Sequence, residues 1–202
     1  RCIACGNCVK VCSQGAKVFL DSRQAVMDLL HSDARTALIL APSFPAEFKE
    51  FPDYRTIVGM FRTMGFDYVI ENAIGADVVA RVYEDLINHD ADTPHISSDC
   101  PAIVNYIGRY HPDLMRLVPP VASPMVVTTR IARECHGEDL KIIFAGPCIA
   151  KKAESGEVDE VLTFIELRQL LVANGIHPED CSPSDFDPPH PGKGTLFPIG
   201  RG

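Results

Sequence analysis

The apolar run Ile142-Ile143-Phe144-Ala145 stops at Gly146-Pro147, and a cysteine and two lysines follow at once in Cys148-Ile149-Ala150-Lys151-Lys152-Ala153-Glu154. The run is short, β-branched and aromatic, which reads as a buried strand, and Pro147 pre-sets the first turn of a helix. A cysteine just inside a helix N-terminus feels the positive end of the helix dipole. Lys151 and Lys152 are expected to add to that field, and both effects favour the thiolate, the form that ligates metal. The segment His95-Ile96-Ser97-Ser98-Asp99-Cys100-Pro101 repeats the design: it reads as a short strand that ends at Cys100, followed by the helical pattern of Ala102, Ile103, Tyr106 and Ile107. Two thiolates at two strand ends suggest one shared metal site. The competing reading is that both are inert core cysteines, because free Cys is among the most buried residue types. Cys135 and Cys181 lack this setting and read as structural.

A second cysteine pattern stands at the start of the chain. Cys2, Cys5, Cys8 and Cys12 form a Cys-x2-Cys-x2-Cys-x3-Cys run, the spacing by which ferredoxin-type modules hold a [4Fe–4S] cube, with a zinc site or free thiols as the alternatives. Such spacing lets one loop wrap three corners of a cube, and Gly6 permits the backbone to approach the sulfides. Cys12 has two possible roles, since in two-cluster ferredoxins the fourth cysteine ligates the other cube, and Ser13 stands where Pro is usual. Eight cysteines could signal disulfides in a secreted protein. Four of them at metal-ligand spacing favour a reducing, cytoplasmic setting.

The remaining pattern alternates. A short amphipathic helix is expected over Ser22 to His31, and strands at Thr36 to Leu40, at Tyr68 to Ile70 and before Cys100. Helices are expected around Ile57 to Met64, with Gly65 as the stop, and from about Ala76 to Asn88. After Pro119-Pro120 the alternation resumes with a helix near Met125 to Cys135, the strand before Cys148 and a strand around Glu160 to Leu162. Thr163-Phe164-Ile165-Glu166 is a capping box opening a helix that Asn174-Gly175 ends. Pro183 to Gly194 reads as a surface loop and Thr195 to Ile199 as a last strand. Strand–helix alternation of this kind specifies an α/β fold of parallel βαβ units with right-handed crossovers. Two lobes, about 35–120 and 121–202, are expected to meet at a cleft, preceded by a ferredoxin-type segment and linker helix over 1–34. Ligands in open α/β sheets lie beyond the carboxyl ends of the strands, where Ser43, Cys100 and Cys148 all sit.

Composition removes other classes. A net charge of -8 with no basic cluster argues against a nucleic-acid surface. No run approaches the roughly 18 apolar residues of a membrane span, and no signal peptide is visible. The chain opens on Arg1 and ends Gly200-Arg201-Gly202, which reads as a piece cut from a longer protein.

The segment Ser97-Ser98-Asp99-Cys100-Pro101-Ala102 resembles the first signature of the [FeFe]-hydrogenase catalytic (H-cluster) domain, Thr-Ser-Cys-Cys-Pro. Gly146-Pro147-Cys148-Ile149-Ala150-Lys151-Lys152-Ala153-Glu154 resembles the second, Met-Pro-Cys-x-x-Lys-Lys-x-Glu. The third signature, a Cys-x-x-x-Cys segment further on, is absent. The resemblance implies an iron hydrogenase-like fold in which Cys100 and Cys148 hold two corners of a second [4Fe–4S] cluster or H-cluster, completed by cysteines beyond Gly202. It also implies that Lys151 reaches a cyanide ligand of the diiron unit, and that Ser43 and Ser123-Pro124-Met125 line the cofactor cavity. Departures point the other way. Asp99 stands where active members carry the proton-passing cysteine, and Gly146 where they carry a methionine lining the diiron pocket. The positions of the family's relay glutamates and serine become Tyr83, Leu86 and Pro119, and the last two cannot relay protons. What the resemblance implies is an iron–sulfur redox protein of sensory type with little turnover, followed by further Fe–S or signalling modules and exchanging electrons with ferredoxin or another Fe–S carrier. The alternatives are a slow ferredoxin-linked hydrogenase using Asp99 as proton relay, and an electron-transfer or assembly protein holding cubes without the diiron unit.

Overall fold

The computed structural model describes residues 2–154, 156–197 and 199. In chain order the elements are α1 (Asn7–Lys10), α2 (Arg23–Leu30), β1 (Thr36–Leu40), α3 (Phe44–Glu47), α4 (Tyr54–Met64), β2 (Tyr68–Glu71), α5 (Ala73–His89), α6 (Pro101–Tyr110), α7 (Pro124–His136), β3 (Lys141–Gly146), β4 (Glu160–Thr163) and α8 (Phe164–Ala173). The four strands form one parallel sheet in the order β2-β1-β3-β4. Leu38 of β1 pairs with Val69 on one side and Ile143 on the other, so the two expected βαβ units share a single sheet joined at β1 and β3.

A parallel strand covered on both faces must be apolar throughout rather than alternating. Accordingly all five residues of β1 and five of the six in β3 are buried. The connection from β1 to β2 runs one way along the sheet and that from β2 to β3, passing β1, runs the other. Right-handed crossovers therefore put α4 on one face and α5 and α7 on the opposite face. Helix α4 buries Ile57, Val58, Phe61 and Met64 and stops at Gly65, whose φ of 112° is open to glycine. Phe48 packs edge-on against both Phe61 and Phe164, which brings α8 onto the α4 face. Helices α5 and α7 meet at Gly75, where a Cβ would stand 2.2 Å from the Pro124 carbonyl oxygen.

Three expected elements differ. No strand forms before Cys100. There Ile96 N–H donates to the Leu117 carbonyl and Ser98 N–H to the Tyr83 hydroxyl of α5, so the segment satisfies its backbone against a helix side chain and a 3₁₀ turn and has no ladder to join. Cys148 opens a 3₁₀ turn, Ile149–Ala153, in place of the expected α-helical start. The strand expected over Thr195–Ile199 is replaced by a 3₁₀ turn at Lys193–Leu196, and Pro198 lies outside the described residues.

The segment read as a surface loop is a strap. Asp187 N–H donates to the Val69 carbonyl while its Oδ2 accepts from Val69 N–H at 2.7 Å, which satisfies the outer edge of β2. Arg62 holds the same carboxylate at 2.7 Å, and Gly192 and Gly194 donate their N–H groups to Asp77 of α5. Among the described residues no helix is long and apolar enough to cross a membrane.

Candidate metal centre

The strand order reverses between β1 and β3, so beyond Ala41 and Gly146 their continuations diverge and leave a crevice at the carboxyl end of the sheet. The last rung there is Ala41 N–H to the Ala145 carbonyl at 2.8 Å. Ser43 follows as the half-buried residue preceding α3, and Cys148 lies on the neighbouring strand's continuation.

Cys100 and Cys148 share one local geometry. Each is the extended residue before a helical turn, with φ/ψ of -101°/107° and -108°/116° respectively. Both thiols are free, Cys100 half-buried and Cys148 exposed. Lys151 ties the two segments together. Its Nζ donates to the Asp99 carbonyl at 3.0 Å and pairs with Glu154 at 2.5 Å, both side chains being largely buried. Lys152, expected to act on the same thiolate, instead turns away: its Nζ reaches the Val161 carbonyl at 2.6 Å, Glu166 Oε1 at 3.0 Å and Ser22 Oγ at 3.1 Å. The Cys148 side of the crevice therefore has one nearby ammonium rather than two.

Asp99 stands beside Cys100 with Oδ2 accepting from Ser97 Oγ at 2.7 Å and Oδ1 buried without a hydrogen-bond partner. Tyr83 does not face it as a relay. Its hydroxyl accepts from Ser98 N–H at 2.7 Å and contacts Ser98 Oγ at 3.0 Å, and Ser98 Oγ donates to the Val121 carbonyl. Pro124 is buried as the first residue of α7, and the polar group there is the preceding Ser123, whose buried Oγ has no partner. Asn72, at the head of α5, likewise buries an unpartnered Oδ1. Asn72 went unmarked in the sequence, and the one available signal was its position just before a helix. Gly146 has no space for a side chain: a Cβ would lie 2.8 Å from the Phe144 ring and 3.1 Å from Ala41 Cβ. The Phe144 ring occupies the region that a methionine here would fill.

The amino-terminal loop turns through two left-handed residues, Ala4 (φ 63°) and Gly6 (φ 75°), and Ala4 N–H points at Cys2 Sγ at 3.2 Å. Cys2, Cys5 and Cys8 are exposed and Cys12 half-buried, all four free. Backbone N–H groups of Ala16 and Gln14 face the Cys12 thiol and hold its pKa below the ordinary thiol value. Four free thiols at this spacing on one loop could supply one donor to each corner of a [4Fe–4S] cube. Among the described residues no three His, Cys, Asp or Glu side chains converge on a point that would hold a single ion. The loop also touches the crevice: a Cβ on Gly6 would meet Ile149 Cδ1 at 2.9 Å, and Ile149 is the residue after Cys148. Cys135 and Cys181 lie apart from both groups. Cys135 is exposed near the end of α7, at the amino-terminal edge of the sheet, and Cys181 is buried with Sγ donating to the His177 carbonyl.

Comparison with known proteins bears on the family and the fold. Residues 34–202 match the family model described as "Iron only hydrogenase large subunit, C-terminal domain". The chain is 27% identical to the NADP-reducing hydrogenase subunit HndD of Solidesulfovibrio fructosivorans, over 93% of this chain and 38% of that protein. It is 24% identical to the cytosolic Fe-S cluster assembly factor NAR1 of Candida dubliniensis, over 96% of this chain and 39% of that protein. The chain thus spans about two-fifths of these relatives. Among solved structures it is similar to the [FeFe]-hydrogenase HydA(deltaEFG), with a TM-score of 0.69 and 22% identity, covering 84% of this chain and 51% of that one. An apo [FeFe]-hydrogenase HydA1 variant from Chlamydomonas reinhardtii gives 0.67 and 20%, covering 84% and 52%. At these identities the structural likeness speaks for the fold.

Proposed function

Because the chain belongs to the family of the iron-only hydrogenase large subunit, C-terminal domain, we propose that it is the iron–sulfur redox part of a cytoplasmic protein that reports hydrogen or redox state with little turnover. The observation that carries this reading is the contact between the Cys2–Cys12 loop and the Cys148 turn through Gly6 and Ile149, which puts the two candidate cluster sites side by side. Cys2, Cys5, Cys8 and Cys12 would hold one cube, and Cys100 and Cys148 would supply two thiolates to a second cluster. Such a cluster, when bound, supplies a one-electron couple. The residues around it do the rest. Lys151 fixes the Asp99–Cys100 segment against the Cys148 turn. Leu86 and Pro119 offer no exchangeable side-chain proton, and the Tyr83 hydroxyl is already engaged with Ser98, which supports slow proton delivery and hence low turnover. Electrons would arrive from ferredoxin or another Fe–S carrier at the exposed Cys2–Cys8 loop.

One observation favours a second reading. The buried, unpartnered Oδ1 of Asp99 is a group that could take up and release a proton beside Cys100. A slow ferredoxin-linked hydrogenase would use it so. The test is an infrared spectrum of the full-length protein matured with the hydrogenase accessory proteins, in the region where metal-bound carbon monoxide and cyanide absorb. Bands there with hydrogen evolution absent support the sensing reading, whereas evolution abolished by Asp99→Ala establishes the enzyme and evolution that survives that change overturns both readings. Iron and sulfide without such bands would overturn both and leave a cube-only electron-transfer or assembly protein, the role printed in the name of the Candida relative.

A further inference from the structure

On the β2 side of the same sheet end lies a cavity of about 510 Å³ lined by Phe44, Tyr54, Glu71, Asp185, Phe186 and His190. We propose that it is a binding site for an organic cation, an alkyl-guanidinium or alkyl-ammonium group, with the Glu71 carboxylate as its counter-ion and the aromatic wall as its seat.

The argument starts from Glu71. It ends β2, it is half-buried, and among the described residues neither a hydrogen bond nor an ion pair reaches its carboxylate. Comparable carboxylates in this protein are matched: Asp159 holds Arg133 and Lys141, Glu166 holds Lys152, and Asp187 holds Arg62. Burial pushes the Glu71 carboxyl above the ordinary glutamate range, and His190 offsets this only in part. A half-buried carboxylate with no donor of its own is stabilised when a cation with N–H groups enters beside it.

The wall suits such a group. Phe186 stacks on Tyr54 with ring centroids 5.5 Å apart at 9° and meets Phe44 edge-on at 5.6 Å, so the three rings form one continuous apolar face. Tyr54 remains 43% exposed, which leaves ring surface for a cation to cover. The second carboxylate, Asp185, accepts from the Tyr54 hydroxyl at 2.8 Å and lies 3.4 Å from Arg55 Nε. It therefore orients the tyrosine while Glu71 is the acceptor left open. The strap carries Asp185, Phe186 and His190, and Asp187 pins it to β2, so the cavity is preformed by the fold.

The site is independent of any cluster and is tested on the full chain by amide NMR titration. Agmatine represents a free amine, a Gly-Arg-Gly amide represents a side chain offered by another protein, and the citrulline version of that peptide is the uncharged control. We expect saturable shifts confined to residues around Glu71, Tyr54 and Phe186 for at least one cationic probe and none for citrulline. Binding of agmatine alone assigns a free amine, and binding of the peptide alone assigns a protein side chain. Glu71→Gln, which keeps the shape, should weaken binding about tenfold, the loss of one charge-assisted contact. Tyr54→Leu should weaken it about three- to fivefold. Absence of localised saturable shifts with both cations up to about 10 mM, or equal affinity in a folded Glu71→Gln variant, would overturn the proposal.

Discussion

Two adjacent lysines, Lys151 and Lys152, have opposite surroundings, and their substitution should separate local from global effects. Lys152 is the basic half of a buried pair with Glu166, with side chains 8% and 3% exposed. Removing one partner of a buried pair strands the other, so Lys152→Met should cost about 3 to 5 kcal/mol in unfolding free energy, read by denaturant titration. Lys151 also pairs with a largely buried carboxylate, Glu154, but its partners lie in a loop and a 3₁₀ turn that can open to water, so Lys151→Met should cost less, about 1 to 2 kcal/mol, while loosening the Asp99–Cys100 segment in hydrogen exchange. Equal losses in both variants would show that the Lys152 cluster is not special. The same cluster sets a pH dependence. Burial alone would raise the Glu166 carboxyl, but the N–H and hydroxyl of Thr163, the N–H of Ser22 and Lys152 together hold it below the usual 4.5. A folded-state pKa below the unfolded one contributes stability above the unfolded value and loses it as pH falls through the folded value. The thermal midpoint should therefore drop on acidification below about pH 4.5, and this component should vanish in Glu166→Gln.

At the scale of elements, Gly75 decides how α5 and α7 pack. An alanine there would place Cβ 2.2 Å from the Pro124 carbonyl oxygen and 2.5 Å from Thr128 Oγ1, both buried, so the helices must separate. Gly75→Ala should destabilise by about 1 to 3 kcal/mol and disturb Ser123 and Pro124 at the crevice, whereas Gly156→Ala, with open space around it, should be close to neutral. A Gly75→Ala protein of wild-type stability would refute the close approach. These elements also show what a sequence discloses. Strands Thr36–Leu40 and Lys141–Gly146 were legible because burial on both faces demands continuous apolar runs, and the Thr163–Glu166 capping box because cap and acceptor lie within one turn. The strand expected before Cys100 failed because its backbone partners, Tyr83 and Leu117, are set by tertiary packing. The surface loop over 183–194 was legible in its composition, but its anchor, Asp187 on Val69, was not, because it spans 118 positions. In the candidate site, Cys100 and Cys148 were visible through their proline-flanked settings. The division of labour between Lys151 and Lys152 was not, since it depends on which way each side chain leaves a 3₁₀ turn.

Across the whole molecule, the sheet and the cysteine loop are held by different forces. The sheet core is a continuous apolar cluster from Val26 to Phe186. The loop is not part of it: α1 buries no residue, and Val11, Val18 and Leu20 are exposed. On the proposed function, a segment with so little buried area would gain its order from a cluster held by its thiolates, because metal-binding free energy stabilises only the structure the ligands belong to. Reconstitution under anaerobic conditions should load roughly four iron and four sulfide on the Cys2–Cys12 loop, and Cys5→Ala should abolish most of that signal. Chelating the iron away should then expose residues 2–20 to proteolysis while the cooperative unfolding of the sheet keeps its midpoint to within about 1 kcal/mol. One contact between the two parts is Ile149 against Gly6, where φ is 75° and a side chain would strike Ile149, and another is Lys152 Nζ over the Phe19 ring at 5.6 Å. Gly6→Val should thus loosen the loop from the Cys148 turn even with iron bound, seen as faster exchange at Ile149 amides and slower electron equilibration between the two sites in the full-length protein. If chelation instead unfolds the sheet along with the loop, the two parts form one cooperative unit, and the contact at Ile149 carries far more of the stability than its single side chain implies.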